Sequence, residues 1–109
     1  MGQPDKIRDS ERIRLNQKVK FGSDESIKTD ALSLNLSNSG IALKSYKTVT
    51  PGSKISLIIY SVDKPIRLDG VVVWNTSKDC RNEAEMGIRI TSRKDNIKKL
   101  YQEYLHKSK

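Results

Sequence analysis

The sequence predicts a mainly β fold: a six-stranded antiparallel β-barrel with a C-terminal α-helix and a flexible N-terminal arm. Three observations carry this expectation. Six short segments alternate apolar with polar residues or are rich in β-branched ones. Turn-forming residues separate them. Only one apolar stripe recurs at helical spacing, and it lies near the end of the chain.

Residues 1–14 hold only Met1, Ile7 and Ile13 as apolar side chains, so they are expected to form the arm, and residues 15–109 the barrel and helix. Leu15, Val19 and Phe21 alternate with Asn16, Lys18 and Lys20, the period of a half-buried strand. Residues 22–30 are polar and read as a loop. Leu32, Leu34 and Leu36 then alternate with Ser33, Asn35 and Ser37, which places the leucines on one face and the polar side chains on the other. Asn38, Ser39 and Gly40 read as a tight turn with a positive φ at the glycine.

Residues 41–46 resume a strand. Pro51 and Gly52 suit the central positions of a type II turn. Residues 54–61 and 66–75 are rich in Ile, Leu and Val and read as strands, with Trp74 expected in the core. A polar loop over residues 76–84 carries Cys80, and residues 86–91 form the last strand. Ile97, Leu100, Tyr101, Tyr104 and Leu105 make the helical stripe, predicting a helix over about residues 93–106 with Ser92 and Asp95 as a weak capping pair.

Length and composition narrow the function. A chain of 109 residues closes one modest core. Its longest apolar run without a charge covers residues 55–62, far short of the roughly 20 residues that span a bilayer, so no membrane insertion is expected. The N-terminus has no apolar stretch, so no secretory signal is expected, and the single cysteine excludes an internal disulfide. A cytoplasmic location follows as the expectation. The formal net charge is +8, and the excess sits at the ends. Residues 1–21 hold six basic and three acidic side chains, residues 93–109 six and two, and the stretch between them nine and eight. An anionic partner meeting the termini fits this pattern; solubility alone explains basic tails equally well.

Catalytic signals are missing. His106 has no Cys or His partner at metal-ligand spacing, and Cys80 has no histidine near it in sequence. No glycine-rich phosphate loop ends in lysine. Neither an enzyme, a metal nor a catalytic cofactor is expected.

Two short motifs remain. Arg8 and Arg12 form an R-x-x-x-R in the arm. Asn35, Ser37 and Gly40 form an N-x-S-x-x-G at the end of the alternating strand, 23 residues after Arg12. Either is unremarkable alone. In this order, around a barrel pattern, they resemble the PilZ family of cyclic-di-GMP receptors. The segments 70–74 and 86–90 also look like the family's closing strands, and the resemblance covers about residues 7–105.

The resemblance implies a ligand site for cyclic-di-GMP built from Arg8, Arg12, Asn35, Ser37 and Gly40, with Ile7, Arg14, Asn38 and Ser39 as secondary positions. The chemistry agrees. An arginine grips a phosphate through parallel N–H bonds, and its fork also matches the O6 and N7 acceptors of guanine. Asn35 offers a donor and an acceptor to a guanine edge, and Ser37 a hydroxyl. In the family, a basic residue just before the first motif arginine accompanies binding of a stacked ligand dimer; Ile7 stands there, which favours one ligand per chain. The implied output is an arm that orders over the barrel and alters a surface read by an effector protein, in motility, exopolysaccharide or biofilm processes. A degenerate PilZ domain acting only on proteins is the alternative, although both arm arginines are kept. A small basic barrel binding nucleic acid is disfavoured, because only Tyr46 and Tyr60 are available as outward stacking platforms; no DNA or RNA partner is expected.

Overall fold

The structure, a computed structural model, describes residues 12–23, 25–60, 64–76 and 83–107, with residues 106 and 107 described by their backbone alone. Seven strands precede one helix: β1 (Ile13–Arg14), β2 (Lys18–Ser23), β3 (Ser26–Leu36), β4 (Gly40–Ser45), β5 (Lys54–Tyr60), β6 (Pro65–Asn75), β7 (Ala84–Ser92) and α1 (Lys94–Lys107). The sheet runs β1-β3-β2-β5-β6-β7-β4, and a further β3–β4 pairing closes strands β2 to β7 into a six-stranded antiparallel ring. The two-residue β1 lies on the same edge of β3 as β2, with Ile13 opposite Leu36 and Arg14 opposite Asn35.

The ring closes on one core. Val19, Phe21, Leu36, Ile41, Leu43, Leu57, Ile59, Leu68, Val72, Met86 and Ile88 fill it, and the α1 stripe Ile97, Leu100, Tyr101 and Tyr104 joins the same cluster. Each such large side chain contributes roughly 1.5–3 kcal/mol by leaving water. Ile13, Leu15 and Leu105 pack against its margin, and α1 touches β1 as well as β6 and β7. Among the described residues no helix is long and apolar enough to cross a membrane, and no cluster of metal-ligating side chains occurs. Cys80 and the side chain of His106 lie outside the described residues.

The type II turn forms as expected: Gly52 has φ 95°, and Ser53 N–H donates to the Thr50 carbonyl at 3.1 Å. Four local expectations are corrected. Residues 22–30 are no loop: β2 and β3 pair as a hairpin down to Ser23 opposite Ser26. Its outer rungs hold only one large apolar side chain, the half-buried Ile27, and are held by backbone bonds, with the Lys20–Asp30 ion pair at 3.0 Å further in, so the apolar alternation that announces a strand is weak there. The three leucines do not share a face. The β3–β4 register shifts between Ser33 and Asn35, so Ser33 is buried and Leu32 is 42% exposed, while Leu36 returns to the core. Buried Ser33 is satisfied by Gln17: its hydroxyl accepts from the Gln17 N–H at 2.9 Å and donates to the Gln17 carbonyl at 3.2 Å.

Trp74 is not core either. A second register shift between Val72 and Trp74 turns it outward and leaves it 40% exposed. Finally, Ser92 belongs to β7 and does not cap α1. Arg93 makes the joint in a left-handed conformation (φ 60°), and its Nε donates to Asp69 Oδ2 at 2.8 Å. Asp69 also accepts from Ser56 Oγ at 2.6 Å and from Arg67. Its partial burial opposes ionisation, but the bonds from Ser56, Arg93 and Arg67 outweigh that and hold its carboxyl below the usual range.

Candidate functional site

The site begins with Asn35. Leu36 beside it is buried in the core, so by strand alternation Asn35 projects outward. Its register partners are Arg14 on β1 and Ala42 on β4. Arg12, one residue before β1, reaches across and donates from Nη1 to Asn35 Oδ1 at 2.6 Å. The two motifs 23 residues apart therefore meet. Ile13 points the other way, into the margin of the core. This anchors β1 and leaves the exposed Arg12 and Arg14 on either side of it. Arg8 and Ile7 lie outside the described residues.

Ser37 departs from expectation. It is buried, and its hydroxyl is consumed by the turn. Ser37 Oγ accepts from the N–H groups of Ser39 (3.3 Å) and Gly40 (3.1 Å) and faces the Gly40 carbonyl at 3.4 Å. The Ser37 N–H donates to that same carbonyl at 2.9 Å. A short hydroxyl beside a tight turn competes well for nearby backbone groups, and this one wins over an outward orientation. Ser37 shapes the loop. Asn38 is half-buried within it, Ser39 is exposed, and the Ser39 carbonyl accepts from Ile90 N–H at 3.0 Å, tying the loop to β7.

Gly40 has no positive φ; Gly52 is the only described glycine that does. Glycine is required at position 40 for proximity. A Cβ there would lie 2.8 Å from the Ile88 carbonyl oxygen of the neighbouring strand.

Sequence reasoning missed the rest of the surface. The register continues from Asn35 to Ala42, from Ala42 to Gly87 on β7, and from Gly87 to Trp74 on β6. These residues form one row across four strands on the outer face. Ala42 and Gly87 are small and buried, and the Trp74 indole lies over Gly87, where any Cβ would collide with it. The row is thus a low floor with Asn35 and its arginines at one end and an aromatic plane at the other. The arginines can hold an anion and the indole can stack on a planar base. Strict alternation through Leu68, Gly70 and Val72 would have put Trp74 inside; only the bulge reverses it.

Comparison with known proteins agrees with this architecture. A model of the PilZ domain matches residues 6–107. No curated protein matches the sequence. Among solved structures, the Bacillus subtilis inhibitor of motility (MotI/DgrA) is similar with a TM-score of 0.67 at 20% identity, covering 100% of this chain and 59% of that one. The chain therefore spans about 59% of that relative's length. The PilZ domain of YcgR from Escherichia coli, solved with c-di-GMP, is similar with a TM-score of 0.68 at 11% identity, covering 88% of this chain and 86% of that one. With a closed six-stranded ring, one C-terminal helix and a family match over nearly its whole length, the chain belongs to the PilZ domain family.

Proposed function

We propose that this domain is a cyclic-di-GMP receptor and adaptor, with no catalytic step of its own. The observation that carries the reading is the Arg12–Asn35 hydrogen bond, which joins the arm motif to the strand motif on one outer surface. The E. coli relative solved with this dinucleotide supports the ligand, and the Bacillus inhibitor of motility supports a role in motility.

In this reading Arg8 and Arg12 grip the dianionic ligand, with Arg14 adding to the field. Asn35 binds a guanine edge, and the Ser37–Gly40 turn presents a backbone with no side chain in the way. Ser37 acts through the turn rather than by touching the ligand. Residues 1–14 act as the arm. Ligand binding orders them further and changes the surface that an effector protein reads. The contact of β1 with α1 gives that change a route to the helix.

Calorimetric titration of cyclic-di-GMP into the wild type and an Arg8→Ala/Arg12→Ala double variant tests this. Micromolar or tighter binding that is lost in the double variant is the expected result. A folded wild type that gives neither heat nor a thermal shift would sink the receptor reading and leave a domain that acts through proteins alone.

A further inference from the structure

Arg89 lies in β7 with an exposed side chain. Ile88 and Ile90 on either side of it are in the core, so Arg89 projects onto the same outer face as Asn35 and Trp74. Its register partner on β4 is Gly40, the glycine that ends the N-x-S-x-x-G turn. Gly40 is buried and sets no side chain beside Arg89; a Cβ there would sit 3.9 Å from the Arg89 Cα. Two residues back along the same strand is Gly87, under the Trp74 indole. Arg89 therefore rises where the glycine turn, the small-residue floor and the aromatic plane meet.

Among the described residues Arg89 makes no ion pair. Of the carboxylates on its face, Glu85 stands opposite Lys44, and Asp69 is held by Ser56, Arg67 and Arg93. Position matters as much as charge. Arg12 reaches Asn35 from the β1 side of β3, whereas Arg89 stands on β7, with β3 and β4 between them. Three strand spacings separate those backbones by about 14 Å. Two arginine side chains can converge across that gap on one small dianion whose phosphates lie on opposite sides of its ring.

We propose that Arg89 is a third arginine of the site, taking one phosphate of the bound dinucleotide from the side opposite Arg12. This rests on the receptor reading above. Cyclic-di-GMP is titrated into the wild type, Arg89→Ala, Arg89→Lys and Arg12→Ala, with the thermal midpoint of each recorded. Arg89→Ala is expected to weaken binding at least about tenfold with an unchanged midpoint, because a charge-assisted bond is lost from an exposed position. Arg89→Lys is expected to stay within about threefold of the wild type, since a phosphate needs the charge more than the fork. Wild-type affinity in Arg89→Ala overturns the role of Arg89 while leaving the receptor reading intact. Equal losses in the Ala and Lys variants overturn the phosphate assignment and point to a base edge. No binding by the folded wild type overturns the receptor reading and Arg89 with it.

Discussion

Asn35 and Trp74 end one row of residues across β3, β4, β7 and β6, and each is turned outward by a register shift just before it. The bulges sit at Leu34 and Val73, on strands that do not touch each other within the row. A bulge re-aims the side chain that follows it. Here two of them aim the polar and the aromatic end of a single surface.

Trp74 is the only tryptophan, so its emission reports on this surface alone. It is partly exposed, and a soluble quencher is expected to reach it in the free protein. Adding cyclic-di-GMP should shield it and reduce the quenching constant. An unchanged constant under saturating ligand would place the base elsewhere.

Gly40 and Gly87 should respond differently to the same change. Gly40→Ala drives a methyl group toward the Ile88 carbonyl, a backbone atom that cannot swing aside. A loss of about 1–3 kcal/mol in urea denaturation is expected. Gly87→Ala meets the Trp74 indole first, a side chain at the surface. Stability should fall less, while tryptophan emission shifts as the ring is displaced. Equal stability losses would contradict the distinction.

Much of the fold was legible because a barrel strand must hide one face. Val19 and Phe21 alternate with Lys18 and Lys20, Ile88 and Ile90 flank Arg89, and the Ile97–Tyr104 stripe has helical spacing. Asn35, Arg12 and Gly40 were legible as a motif. Trp74, Leu32 and Ser37 were not. For the first two, one extra residue in a strand puts the residues before it and after it out of phase, so Leu32 and Leu36 face opposite ways, as do Val72 and Trp74, and no residue type marks that insertion. For Ser37, strand periodicity says outward, but a hydroxyl two residues before a turn has backbone donors within reach. Arg89 and Gly87 join the surface through registers between strands far apart in sequence, which no local pattern encodes.

Ser37→Ala tests the turn directly. It removes the acceptor for two backbone N–H groups at a buried position. About 1–3 kcal/mol of stability should be lost, measured by chemical denaturation. Ligand affinity should fall as the loop loosens. Ser37→Thr keeps the hydroxyl and should recover most of both; no recovery would contradict the role given to the hydroxyl.

Asp69 gives the fold an acid limit. Its carboxyl titrates lower in the folded chain than its ordinary value of 3.8. A depressed carboxylate adds stability that is complete above the unfolded value and disappears as pH falls through the folded one. Stability should therefore hold from neutrality to about pH 5 and decline below about pH 4. Asp69→Asn should be less stable at pH 7 by about 1–3 kcal/mol and should show a shallower acid decline. Parallel acid profiles for the two proteins would assign the limit to other groups.

The order of strands in the ring also bears on how the chain is made. β7 inserts between β6 and β4, and β4 was completed some forty residues earlier. During synthesis β4 and β6 must wait with unsatisfied backbone edges until β7 leaves the ribosome, the state in which strands recruit wrong partners. The same late strand supplies Gly87 and Arg89. A nascent chain that lacks its last quarter therefore has neither a closed barrel nor a finished floor, and chaperone dependence should concentrate in that interval.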